Sequence, residues 1–301
     1  MYRKRIKGRR RTEEKSGKKA FFEKRILGKA AFGKECDRKT AVWAAACGLW
    51  MLVLLTIFFS TDLRGGELQY RFLPPSPAHP FGTDQHGRDL FVRTVHGFIC
   101  GFFPACAVTG VSFIVGAFFG SIAGYYGGLL RDLLHYCVDL LLVIPTIILF
   151  LLLASMMGSS TPVLIGALTL TDSLYKARIC SAEVLVMKHE DYILNLRISG
   201  ASDLHIIFFH LFPGALRLMA PLLAMHLGHT LLSISGLSFL GFGMKPPRAD
   251  IGALMKDALR FAGKAPHLLL CPGAFQLAVI FCFNKLSESM RKKSGPCEKK
   301  I

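Results

Sequence analysis

The chain has 301 residues, 52% of them hydrophobic, and still carries a formal net charge of +17. A soluble protein of this length would form one or two domains. Here the apolar residues gather into runs near the ~20 needed to cross a bilayer, which excludes a water-soluble globule and points to an all-α, polytopic membrane protein.

Residues 1–40 hold sixteen Lys and Arg against five acids. A basic flank beside an apolar run is held in the cytoplasm and attracted to anionic lipid. It shows no aromatic interleaving or fold module of the kind that binds nucleic acid, so membrane lipid is the expected partner and nucleic acid is not. Residues 41–59 read as a retained first transmembrane helix, because Phe58-Phe59-Ser60-Thr61 offers no small-x-small cleavage site. Residues 60–97 are polar and rich in proline, as suits a first external loop. Residues 98–126 are apolar with repeated glycines that let membrane helices approach closely. Residues 133–157 form a third crossing interrupted by Pro145, and residues 162–177 a shorter fourth one carrying Asp172.

From residue 178 to 213 the chain turns polar and amphipathic, and residues 216–240 return to apolar character as a fifth crossing. Residues 268–283 supply a sixth. With the N-terminus inside, the 178–213 loop and the basic tail over residues 285–301 are expected in the cytoplasm. Residues 241–265 disagree with the positive-inside rule, holding five basic residues against two acidic ones, but the terminal asymmetry is stronger. The nine cysteines are odd in number and contain no Cys-x-x-Cys, so they read as free thiols packed as small apolar residues.

Four motifs follow in order. His79-Pro80-Phe81-Gly82-Thr83-Asp84-Gln85-His86-Gly87-Arg88-Asp89 precedes the second crossing. Its Gly82 and Gly87 permit turns, Thr83 or Asp84 can cap a helix, and Arg88 can pair with Asp89. Asp132, Asp139 and Pro145 enter the third crossing, with both carboxylates on one helical face two turns apart. Their plain structural reading is pairing with Arg131 or reaching the cytoplasmic surface. Glu183 through Tyr192, then Arg197-Ile198-Ser199-Gly200-Ala201-Ser202-Asp203 on to Pro213, make a helical hairpin. In it Gly200 ends one run, Ser202 or Asp203 starts another, and Pro213 stops it. The fourth motif is Leu237-Ser238-Phe239-Leu240-Gly241-Phe242-Gly243 with Pro246-Pro247 and Asp250-Ile251-Gly252.

Together these resemble the permease subunits of the dipeptide, oligopeptide and nickel class of ABC importers, from His79 to about Arg291. The 183–213 segment resembles that family's Glu-Ala-Ala loop, whose first short helix docks on the ATPase subunit. The resemblance implies an ATPase-coupling role for Glu183, Tyr192, Arg197, Gly200, Ala201, Asp203 and Pro213, within a transmembrane domain over residues 98–284. The family's Glu-Ala-Ala falls on Leu194, Asn195 and Leu196, so the acidic contact is absent. Leu194 with Ser199-Gly200-Ala201, and Gly228-His229 with the Gly236 to Gly241 run, lean toward the nickel subgroup.

No Gly-x4-Gly-Lys-Ser/Thr loop occurs, so the chain is expected to be a non-catalytic subunit that binds no cofactor. The resemblance implies ATP and magnesium on two partner ATPases, a second similar permease and an extracytoplasmic substrate-binding protein, in the cell membrane. Asp139, Asp172 and His229 are candidates for the translocation path. They also carry an alternative, an ion-coupled transporter or membrane enzyme; a further one is a lipid- or RNA-binding membrane scaffold. His226 and His229, at i and i+3, invite a metal, although that spacing more often reflects packing, and no metal is expected.

Overall fold

A computed structural model describes residues 42–43, 45, 47–49, 51–60, 67–158, 160–243 and 249–294. The basic region 1–40, the Pro246-Pro247 pair and residues 295–301 fall outside the described residues. In chain order the elements are α1 (Cys47–Ser60), a 3-10 turn (Leu68–Tyr70), α2 (Leu90–Tyr126), α3 (Gly128–Val143), α4 (Thr146–Met157) and α5 (Thr161–Met187). Then follow α6 (Asp191–Ile198), α7 (Asp203–Ile206), a π turn (Ile207–Leu211), α8 (Phe212–Leu240), α9 (Ile251–Leu259) and α10 (His267–Ser294). No strand forms among the described residues, in keeping with the all-α reading.

Three helical stretches are long and apolar enough to cross a bilayer: Leu90–Tyr126, Asp203–Leu240 and His267–Arg291. α5 has the length, about 40 Å over its 27 residues, but Asp172, Lys176 and Arg178 break its apolar run. With α1 and the α3–α4 pair, each of the six expected crossings has a helical counterpart.

Several boundaries differ from the sequence reading, each for a local reason. The second crossing starts at Leu90 rather than residue 98, because the Asp89 carboxylate accepts from the amides of Phe91 (2.8 Å) and Val92 (3.2 Å) and caps the helix upstream of the apolar run. Thr83 and Asp84, the expected caps, serve the preceding turn instead. The third crossing is two helices, since the residue before a proline is driven out of the α region and Ile144 is extended at φ −88°.

The fourth crossing runs on to Met187, so the polar loop expected from residue 178 begins as helix and Glu183 sits on α5. Nor does Pro213 stop the hairpin: it stands in the first turn of α8, where the helix continues out of a π turn. The π turn just before it, in which the Phe212 amide donates to the Ile207 carbonyl, carries the chain through without a break from Asp203 to Leu240. The tail after the sixth crossing starts as helix too, since α10 continues to Ser294.

The tightest packing joins α2 to α5. Gly116, Gly120 and Gly124 recur every four residues on α2 and face Ser173, Ala177 and Ser181 at the same spacing on α5. A Cβ on these glycines would lie 2.7, 2.5 and 2.7 Å from the three facing carbonyl oxygens. One apolar core gathers Leu54 of α1, Val95 and Phe98 of α2, Phe150 of α4, Leu164 of α5 and Ile234 of α8. A second joins Ala117 and Tyr125 of α2 and Val184 of α5 to Ile193, Ile206 and Leu211, and so ties the hairpin to the bundle.

Candidate functional site

The hairpin is anchored by few residues. On α6 only Ile193 is fully buried, while Tyr192, Leu194 and Ile198 stay exposed, the last at 84%. This leaves an apolar outer face where a soluble partner can sit. Gly200 turns the chain at φ +83°, a conformation that costs an L side chain strain. The Ser202 hydroxyl then caps α7 by accepting from the His205 amide at 3.4 Å. Ala201 packs into the second core.

Tyr125, at the end of α2, holds this turn from three sides. Its hydroxyl donates to the Asp203 carboxylate, and the Arg197 guanidinium lies over its ring at 5.1 Å. The Lys188 ammonium donates to its carbonyl oxygen at 3.3 Å. The two short helices of the hairpin and the end of α5 are thereby tied to one point. Behind the hairpin lies a cleft of about 500 Å³ lined by Glu190, Tyr192, His210, Gly214 and Arg217 among others.

At the start of α2, Gly82 and Gly87 both have positive φ, 77° and 73°, with the carbonyls of Leu73 and Glu67 where a Cβ would go. Asp84, 4% exposed, accepts from the amides of His86 (2.7 Å) and Arg88 (2.9 Å) and pairs with Arg93. Thr83 accepts from the Leu73 amide at 2.9 Å and donates to the Tyr70 carbonyl. The expected Arg88–Asp89 pair is replaced. Asp89 meets His79 Nδ1 at 2.8 Å, because its cap bonds hold the carboxylate over the first turn of α2.

The intramembrane candidates divide. Asp139 pairs with Arg178 on the protein surface, not with Arg131, and does not line a site with the other two. Asp172 and His229 do come together, on the wall of a cavity of about 400 Å³ between α3, α5 and α8 that also meets Thr171, Tyr175, His226 and Ser233. Lys176, 1% exposed, places its ammonium 3.2 Å from Asp172 and 2.5 Å from the Ser112 hydroxyl of α2. No three His, Cys, Asp or Glu side chains converge as a metal site among the described residues.

Residues 116–292 match the family of binding-protein-dependent transport system inner membrane components. The chain belongs to that family. It is therefore a permease subunit of an ABC importer, a multi-pass inner-membrane subunit that does not itself hydrolyse ATP, and its relatives are of the peptide type. It is 30% identical to the glutathione transport system permease protein GsiD of Pectobacterium atrosepticum, over 84% of this chain and 86% of that one. It is 29% identical to the oligopeptide transport system permease protein OppC of Bacillus subtilis, over 82% and 81%. With the dipeptide transport system permease protein DppC of Alkalihalophilus pseudofirmus it shares 31% identity, over 75% and 74%.

Sequence reasoning missed two residues of this permease that the geometry brings forward. Tyr125 lies 78 residues before Asp203, and its only local signal is the Tyr125-Tyr126 pair ahead of the Gly127 turn. Lys176 stands four residues after Asp172 on α5, a spacing that pairs opposite charges on one helical face.

Proposed function

We propose that this permease forms half of the translocation path of a peptide importer, with the 183–213 segment as the lever through which ATPase subunits drive it. The observation that carries the reading is the hairpin itself. It offers an exposed apolar face on α6, is tied through Tyr125 to the end of α2, and runs without a break into α8. A partner that moves α6 and α7 thereby acts on two of the bundle's long helices at once. Glu183, Tyr192, Arg197, Gly200, Ala201, Asp203 and Pro213 belong to this lever.

The remaining assignments follow the same scheme. A second similar permease completes the path, two ATPase subunits hold ATP and magnesium, and an external binding protein delivers the substrate. Both termini lie in the cytoplasm. The motif over Gly82, Thr83, Asp84, Gly87, Arg88 and Asp89 stands on the external side, where its bonds shape the loop ahead of α2. Peptide is favoured as cargo over nickel because the relatives named above are glutathione, oligopeptide and dipeptide permeases. The nickel lean of Leu194 and Gly228-His229 gains no support from them. The ion-coupled alternative loses Asp139, which is committed to Arg178 at the surface.

Gly200→Val tests the lever. It strains the turn by ~1–2 kcal/mol, and nothing lies within 4 Å of the added Cβ. The ATPase subunits should be lost on co-purification and uptake of radiolabelled dialanine should stop. Unchanged co-purification, or uptake by this chain without ATPases, overturns the reading.

A further inference from the structure

The cavity lies between α3, α5 and α8, within the segments read as the third, fourth and fifth crossings. Asp172 stands eleven residues after the start of α5 and His229 eleven residues before the end of α8, so each is roughly 16 Å from those ends, which the antiparallel run of the two helices sets on one side of the bundle. Ionisable groups inside a membrane span are expensive and face protein or a water-filled path, not lipid.

The bonding pattern shows which atom is left to act. Asp172 Oδ2 takes the Lys176 ammonium at 3.2 Å, and the Thr230 hydroxyl stands 3.4 Å away with a closer acceptor in the His226 carbonyl at 2.9 Å. Asp172 Oδ1 has no hydrogen bond among the described residues, and the side chain is a quarter exposed on the cavity wall. From α8 the cavity is lined by His226 and His229, and from α5 by Tyr175 as well as Asp172. The site thus presents a carboxylate oxygen from α5 and two imidazoles from α8. Lys176 balances the charge of Asp172, so the whole is close to neutral. A metal ion would need three converging ligands, which are absent among the described residues. A zwitterion, positive at one end and negative at the other, matches the carboxylate and the imidazoles at once. The volume, about 400 Å³, lies within the usual range for small-molecule sites.

We infer that this cavity is a specificity subsite on the permease, in which Asp172 Oδ1 receives the primary ammonium group of a small zwitterionic peptide and His226 and His229 face its carboxylate end. The inference rests on the peptide reading above. It places part of the selection inside the membrane, after the binding protein has released its cargo. Lys176 is a positioning residue here, since its two bonds hold Asp172 with one oxygen turned outward.

The test uses the full transporter reconstituted in vesicles with its ATPases and binding protein, and tritiated dialanine as probe. Asp172→Asn should raise the KM for dialanine uptake tenfold or more, the range expected for losing one charge-assisted bond. Basal ATP hydrolysis and co-purification should not change, and Asp172→Glu should recover most of the uptake. If Asp172→Asn does not assemble, the exposed His229→Ala variant takes its place, with a rise in KM and an unchanged basal rate as the supporting result. Dialanine uptake with an unaltered KM in these variants overturns the subsite and leaves the peptide reading standing. Equal failure of the Asn and Glu variants in assembly and basal hydrolysis, with an unaltered KM in His229→Ala, shows a structural role and also overturns it. Native vesicles that take up Ni²⁺ and no dialanine overturn both.

Discussion

Tyr125→Phe is the most exacting test of how the hairpin is held. It removes one hydroxyl and nothing else. The ring stays beneath Arg197, and Lys188 still reaches the backbone carbonyl. What is lost is the bond to the Asp203 carboxylate at the start of α7. Hydrogen bonds to charged groups contribute about 1.5–3 kcal/mol, and the exposure of Asp203 brings this one down to about 1 kcal/mol. That is roughly fivefold in the population of the correctly seated hairpin. In reconstituted transporter the ATP hydrolysed per dipeptide imported should rise several-fold, while ATPase co-purification stays at the native level. Tyr125→Ala also removes the ring under Arg197 and empties its place in the second core, a loss of roughly 3–5 kcal/mol for a buried aromatic, and should uncouple further. An unchanged coupling ratio in both variants refutes the reasoning.

Three further perturbations follow from the packing. Gly120→Ala puts a Cβ 2.5 Å from the Ala177 carbonyl and 2.6 Å from Cys180 Cβ, so a loss of ~1–3 kcal/mol should show as a lower melting temperature in detergent. Gly110→Ala, with nothing within 4 Å of the new atom, is the control and should melt no lower than the native protein. Asp89→Ala removes the α2 cap and the contact to His79, and should cost ~1–2 kcal/mol by the same assay, with Asp89→Asn recovering most of it. Asp250, buried at the start of α9, has its carboxyl pushed up by burial, which its hydrogen bonds only partly offset. A raised folded-state value means a contribution fully present below the unfolded value and lost as pH rises through the folded one. Asp250→Asn keeps a capping oxygen without the charge, so it should melt higher than the native permease at pH 7. The gap should close near pH 4; a gap that widens on acidification contradicts the assignment.

The hairpin's first half was legible because its signals are local: Gly200 needs a left-handed turn and Ser202 makes a cap. Its far end was not legible, because the π turn over Ile207–Leu211 is a matter of register that composition does not carry. Pro213 therefore read as a stop when it opens α8. The early start of α2 was hidden in the same way. Arg93, Thr94 and His96 look like loop residues until Asp89 is seen to cap them into the helix. Pairings across the bundle were beyond reach of spacing, as with Asp139 and Arg178, 39 residues apart. Asp172 and His229 could be singled out as intramembrane polar residues, but only the antiparallel run of α5 and α8 sets them at one depth. Asp84 shows the reverse case, where the motif was legible and its job was not.

The π turn has a further consequence for timing along the helix. In α geometry each residue advances the helix by 100°, so the one residue gained in a wide turn sets everything beyond it out of phase with everything before it. On one side of that offset stand Asp203 and the hairpin; on the other, about 39 Å from Asp203 at 1.5 Å per residue, stands His229. The two ends of one continuous rod are thus indexed to different neighbours. Were the turn to tighten by a residue, the imidazoles would swing away from Asp172 with no change in how the far end is gripped. The register of those five residues therefore sets which face α8 turns toward α5.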